Sequence, residues 1–324
     1  GACTDCRRMW AMHRAGELDE QEIEEVGSNL VPSAGSFGVM GTASTMALMT
    51  ESLGMMLPGG AAIPAVLGDR YRHAELTGAR AVEIAEENLV PETIMTAQSI
   101  ANSLRVLHAI GGSTNGLIHM TAIAGRLGIK VDLQAFDKLG ASTPVLVNLK
   151  PSGEHYMEDL HKAGGLGPIL RELRPLLHLN VPTISGRSLG EEIDALPAPW
   201  QQDVVTPIDR PIYGEGGMAI LQGNLAPGGA IIKQSAASPE LMTHTGRAVV
   251  FESLEDMTQR IDSEDLDVSA DDVLVLRNAG PKGAPGMPEA GYIPIPKKLA
   301  KQGVKDMVRI SDGRMSGTAS GTII

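Results

Sequence analysis

The sequence predicts an α/β portion followed by a β-rich portion, and three observations carry that reading. Up to about residue 200 the apolar residues recur at three- and four-residue spacing, the period of helices that bury one face. Beyond it the texture changes to short runs rich in β-branched residues, separated by Gly/Pro turns. Between the two, Ala195–Asp203 carries Pro197 and Pro199 and reads as a linker. The expected domains are therefore 1–200 and 201–324, a division that suits a 324-residue chain at roughly 150 residues per domain.

In chain order, the stretch from Glu17 to Val26 is charged and helix-forming, and a Pro/Gly/Ser loop follows from Pro32 to Gly41. A helix is predicted over Ser44–Met56, with Thr42 or Ser44 placed to cap it and Pro58 with Gly59-Gly60 to stop it. Further helices are predicted over Arg72–Asn88, Thr93–Ile110, Asn115–Leu127, Met157–Ala163 and Leu166–Leu173, with a buried strand over Pro144–Leu149. In the second portion the predicted strands are Met218–Leu221, Ala230–Lys233, Ala248–Phe251, Val273–Arg277 and Met307–Ile310, with one helix over Leu254–Ile261. Short strands of this kind suggest a sandwich or a barrel, although their spacing is looser than usual.

Composition narrows the function. Lys plus Arg number 27 against 39 Asp plus Glu, a net charge of −12, which argues against nucleic acid and anionic membranes as partners. Aromatic residues are only 3%, leaving few stacking platforms for bases or sugar rings. No apolar run approaches a membrane span, and two cysteines cannot make a disulfide scaffold, so a cytoplasmic protein is expected. The chain opens without Met and stops inside the apolar run Gly321–Ile324, which suggests a piece of a longer protein.

Four polar loops are the candidates for chemistry. Gly35–Met46 is a glycine-rich turn feeding a helix N-terminus, whose free N–H groups suit a carboxylate or phosphate; an ordinary capped helix is the plainer reading. It is not a P-loop, because the Gly-Lys-Ser/Thr ending is absent. Gly111-Gly-Ser-Thr-Asn115 again precedes a helix, with Ser113 and Thr114 able to cap it and touch an anion at once. His119, four residues after Asn115, is read as structural. Gly280–Glu289 ends in one carboxylate, either a solvated turn residue or the single protein ligand that a Mg²⁺ shell often has. Ser311–Thr318 offers Arg314 for a carboxylate, with the hydroxyls of Ser316 and Thr318 beside it. Cys3 and Cys6 form a Cys-x-x-Cys whose plain reading is free, partly buried thiols.

Together these stretches resemble the dihydroxy-acid and sugar-acid dehydratases. The matching segments are Met40-Gly-Thr-Ala-Ser-Thr-Met46, Glu51-Ser-Leu-Gly-Met55 with Leu57-Pro58, Ile110–Asn115, Gly223-Asn-Leu-Ala-Pro-Gly228, Gly280–Gly283 with Pro285–Glu289, and Ser311–Thr318, in family order. The first of them and Gly291-Tyr-Ile-Pro-Ile-Pro296 are similar to the sugar-acid branch, in particular to pentonate (arabinonate or xylonate) dehydratases.

The resemblance implies a hydro-lyase that turns a 2,3-dihydroxy acid into a 2-oxo-3-deoxy acid with Mg²⁺ and an iron–sulfur cluster, a [2Fe–2S] centre. Within that scheme Glu289 matches the metal-binding carboxylate, Ser316 the base that removes the C2 proton, and Thr318 a neighbouring hydroxyl. Arg314, Ser113, Thr114 and Asn115 are the expected substrate-binding residues. The family's cluster cysteine in the first loop falls at Phe37, a departure, and Cys3 and Cys6 do not match cluster positions. The implied architecture is the later portion of an α/β domain over 1–200 and a β-barrel-like domain over 201–324, in a homo-oligomer. The alternatives are a dihydroxy-acid dehydratase of branched-chain amino-acid biosynthesis, or a cluster-less, non-catalytic relative that binds Mg²⁺ and an acidic ligand.

Overall fold

The computed structural model describes residues 3–30, 34–35, 38–283, 292–315 and 320–324. It is a mixed α/β structure, mostly helical, with small sheets. In chain order the helices are α1 (Cys3–Ala15), α2 (Glu20–Asn29), α3 (Thr42–Ser52), α4 (Gly68–Glu87), α5 (Pro91–Ile94), α6 (Ala97–Ala109) and α7 (Asn115–Arg126). They continue as α8 (Leu133–Ala141), α9 (Met157–Lys162), α10 (Leu166–Leu173), α11 (Leu189–Asp194), α12 (Leu254–Arg260) and α13 (Lys297–Lys301). The strands are β1 (Ala219–Leu221), β2 (Ala230–Ile232), β3 (Ala248–Phe251), β4 (Val273–Leu276) and β5 (Arg309–Ser311).

By packing, the chain divides into two units: Ser33–Ile220, and Gly1–Pro32 together with Leu221–Ile324. In the first, α6 is the hub, with α3, α7, α8 and α10 packed against it. Its buried side chains include Ile100, Leu104, Val106, Leu107 and Ala109, and Met40, Leu48, Leu166, Ile169 and Leu173 complete the same core region. The segment Pro144–Leu149, predicted as a strand, is buried at Val145, Leu146, Val147 and Leu149 but forms only isolated bridges, to Tyr213, Val205 and His155. Its neighbours are single extended residues, so no continuous ladder forms.

The predicted helix over Thr93–Ile110 is interrupted. Thr96 accepts the N–H of Ser99, and the Ser99 hydroxyl accepts the N–H of Thr96, so a capping box restarts the chain as α6. Helix α3 begins on Gly41 rather than on a hydroxyl residue. The Ser44 hydroxyl, one turn inside, accepts the Gly41 N–H at 3.0 Å and donates to the Val39 carbonyl at 2.6 Å.

In the second unit β3, β4 and β5 make a parallel sheet in that order, with Ala248 opposite Val273 and Leu274 opposite Arg309. Helix α12 connects β3 to β4, and α13 lies between β4 and β5, giving a β–α–β–α–β run. Val249, Phe251, Leu274, Leu276, Ile293, Leu299 and Met307 fill its core. Among the described residues the sheets are open and no closed barrel forms, which corrects the barrel expectation. Parallel neighbours need long crossovers, and the stretches Glu252–Asp272 and Arg277–Val308 supply them where an up-and-down barrel would use tight hairpins.

Candidate active site

Each unit gathers one group of the loops singled out by sequence. In the helical unit the N-termini of α3 and α7 meet. Asn115 Nδ2 donates to Thr42 Oγ1 at 2.7 Å, and the Thr42 and Ser113 hydroxyls share a hydrogen bond at 3.2 Å. The Ser113 N–H donates to Thr45 Oγ1, and the Asn115 N–H to Ser113 Oγ. Ser113, Asn115 and Thr45 are buried. Residues about seventy positions apart thus form one hydroxyl–amide cluster at two positive helix ends, a setting suited to an anionic oxygen. Thr114 sits at the start of α7 without a side-chain capping bond, so Ser113 satisfies the backbone there. Thr42 and Thr45 join the cluster although the sequence reading gives them no binding role. Their signal was the Thr-x-x-Thr spacing at the head of α3, which puts both on one helix face.

Glu51, at the far end of α3, is almost wholly buried, and each carboxylate oxygen accepts a backbone N–H: Oε1 from Gly59 and Oε2 from Ala61, both at 2.8 Å. Burial pushes its pKa up to about 7. The two N–H donors oppose that shift, while nearby Glu192 adds to it. The Glu51-Ser-Leu-Gly-Met55 segment is therefore a clasp on the following loop.

In the sheet unit the third and fourth loops leave the carboxyl ends of adjacent parallel strands, the edge at which open α/β sheets bind ligands. Asp312 Oδ1 accepts the N–H groups of Ala279 and Gly280 at 3.0 and 3.2 Å and ties the two loops together. The backbones lie so close that a Cβ at Gly313 would stand 2.7 Å from the Ala279 carbonyl oxygen, and one at Gly280 would collide with that of Asp312. Arg314 follows in this loop and is half-buried. Behind it, the buried Arg309 binds Asp306 at 2.6 Å and the Ser320 carbonyl at 3.2 Å, securing the chain just beyond the loop.

Glu289, Ser316, Thr318 and Phe37 lie outside the described residues. His119 is half-buried on α7, and Cys3 and Cys6 are free thiols on α1. Among the described residues no group of three or more His, Cys, Asp or Glu could hold a metal ion. No helix among them is long and apolar enough to cross a membrane.

Comparison with known proteins bears on both clusters. The N-terminal model of the dihydroxy-acid/6-phosphogluconate dehydratase family matches residues 1–192, and its C-terminal model matches residues 203–324. The chain belongs to this family. An L-arabonate dehydratase of Azospirillum brasilense is 48% identical over 322 residues, covering 98% of this chain and 55% of its own length. An L-arabinonate dehydratase of Rhizobium leguminosarum bv. trifolii is 46% identical over 326 residues, covering 100% and 56%. A dihydroxy-acid dehydratase of Carboxydothermus hydrogenoformans is 41% identical over 313 residues, covering 96% and 56%. The chain thus spans a little over half the length of these dehydratases. Both loop clusters fall within the matched segments.

Proposed function

We propose that this chain is part of a hydro-lyase that dehydrates a 2,3-dihydroxy sugar acid, a pentonate, to the 2-oxo-3-deoxy acid. The observation that carries the substrate class is the higher identity to the two arabinonate dehydratases, 46–48%, than to the dihydroxy-acid dehydratase, 41%. The domain reading that goes with it is the later part of the N-terminal dehydratase domain over 1–200 and the C-terminal domain over 201–324, functioning in a homo-oligomer.

The chain's own residues then take these roles. Ser316 removes the C2 proton, and Thr318 holds a neighbouring oxygen. Arg314 binds the substrate carboxylate as a fixed cation. Ser113, Thr114 and Asn115 offer donors at the α7 N-terminus to substrate oxygens. Negative charge on the substrate is favoured there by two helix ends, with the Ser113 hydroxyl and the Asn115 amide oriented by Thr42 and the Ser113 backbone held by Thr45.

The family resemblance also implies Mg²⁺ and an iron–sulfur cluster. Glu289 offers one hard oxygen donor suited to Mg²⁺, whereas Phe37 offers no donor to iron and the two cysteines share a single helix. The residues present do not make up the cluster centre, and no step is assigned through it. That departure favours a second reading, a non-catalytic relative that keeps the acid-binding residues.

A chain built to the full length of its relatives separates these readings. It is assayed for 2-oxo acid formation from pentonates and from a branched 2,3-dihydroxy acid, with Phe37 and with Phe37→Cys. Turnover of pentonates supports the proposal, and Ser316→Ala should then abolish turnover while acid binding is retained. Turnover of the branched acid alone refutes the substrate class. Acid binding without turnover in either version establishes the non-catalytic reading.

A further inference from the structure

The β4–β5 pairing ends at Leu276 and Ser311, and past that point no ladder holds the third and fourth loops at a fixed separation. Asp312, the first residue beyond the ladder on β5, takes over that task. Its Oδ1 accepts the N–H groups of both Ala279 and Gly280, at 3.0 and 3.2 Å, and a carboxylate oxygen makes stronger bonds of this kind than a neutral acceptor. The roots of both loops are fixed on their outer sides as well. On the third loop, Asn278 has φ +56°, a conformation uncommon outside glycine, and its Nδ2 donates to the Glu252 carbonyl at 2.9 Å. On the fourth, the Ser311 N–H donates to the Ile324 carbonyl at 3.1 Å. Glycine sets the separation between them, since a Cβ at Gly280 would collide with the Asp312 carbonyl oxygen. Stability alone does not account for this tie. Asp312 is exposed, and water competes for both partners of an exposed hydrogen bond, so its net contribution to folding is small.

We infer that Asp312 is a positioning residue for the acid: by locking the two loop roots together it fixes where Arg314, two residues on, presents its guanidinium to the substrate carboxylate. This role rests on the acid binding proposed above for Arg314 and supplies the device that sets its place. A guanidinium grips a carboxylate through a planar two-point contact, so a backbone shift of about 1 Å forfeits much of the bond. A lysine at the same position would be a point charge on a flexible stem and would tolerate such a shift.

Calorimetric titration of arabinonate into the chain built to its relatives' full length tests this, with no turnover required. Asp312→Ala should raise the dissociation constant at least about tenfold, while the melting temperature stays within about 3 °C of the parent. Asp312→Asn should recover most of the affinity, because its amide oxygen can accept the same two N–H groups. In an Arg314→Lys background, Asp312→Ala should cost less than about threefold, since the fork that needs exact placement is gone. Unchanged affinity in Asp312→Ala overturns the inference, as does an Asp312→Asn no better than Asp312→Ala. An equal loss in the Arg314 and Lys backgrounds also overturns it, by showing a merely structural tie. Each of these outcomes leaves acid binding by the parent intact. A parent that binds no arabinonate refutes the acid-binding reading itself, and this role with it.

Discussion

Replacing Arg309 by methionine should cost the sheet unit about 3–5 kcal/mol. The side chain is 2% exposed and ends in a closed set of acceptors. Nη2 donates to Asp306 Oδ1 at 2.6 Å and to the Ser320 carbonyl at 3.2 Å, Nη1 to the Ile293 carbonyl at 3.1 Å, and Nε to the Met307 carbonyl at 3.3 Å. Methionine fills much of the volume but donates to none of them. Asp306 would keep the Thr322 N–H and the Thr322 and Ser238 hydroxyls as donors, which softens the loss, but its charge would have no counter-ion. Three carbonyl oxygens would lose a donor, at about 1 kcal/mol each, and the isolated carboxylate adds the remainder. Against a total stability of roughly 5–15 kcal/mol this is a large fraction. Urea denaturation followed by circular dichroism measures it. The double variant Arg309→Met with Asp306→Leu should recover part of the loss, because no unpaired charge remains. A single-variant loss below about 1 kcal/mol, or a double variant worse than the single, would show that this clasp does not secure the chain beyond the fourth loop.

Glu51 predicts a pH dependence. Its folded pKa of about 7 lies above the ordinary 4.5, so the folded state holds the proton more tightly. The resulting stabilisation is full below about pH 4.5 and is lost as pH rises through 7. Across that window it amounts to about 3 kcal/mol as an order of magnitude. Glu51→Gln should therefore be costlier at about pH 5 than at about pH 8, and equal costs at both would contradict the assignment. Lys233 is 8% exposed, its ammonium has no hydrogen-bond partner among the described residues, and burial brings its pKa down to about 8. Lys233→Met should raise the melting temperature, by about 1–3 kcal/mol of stability at neutral pH, and a fall would reveal a counter-charge. Asn115→Ala removes the donor to Thr42 and should cost about 1–2 kcal/mol in denaturant titrations; no change would mean that the cluster does not hold α3 to α7.

Local patterns were the legible part. Leu166–Leu173 and Ala248–Phe251 have the predicted bounds, because a sustained apolar period and a β-branched run each specify their own geometry. The helix Leu133–Ala141 went unread although Asp132 caps it with a bond to the Ala135 N–H. The neighbouring charges mask a short amphipathic stripe. The predicted helix Thr93–Ile110 runs straight through Thr96, because a capping box of two hydroxyl residues gives a weak composition signal.

Family membership was legible from the residues alone, since motifs in a fixed order survive without any knowledge of contacts, and so were the loops that make up both clusters. Tertiary structure alone decided three things. Strand direction turned the expected barrel into a β–α–β–α–β run, because a strand's residues do not record which neighbour it pairs with or in which sense. Helices α1 and α2 joined the unit formed by Leu221–Ile324, with α1 against α13, Arg14 paired with Asp262 and the Arg7 guanidinium over the Tyr292 ring, contacts between residues far apart in sequence that exist only once the chain has folded. Thr42, Ser113 and Asn115 came together across about seventy residues of chain, where hydrogen-bond geometry rather than sequence spacing selects the partner.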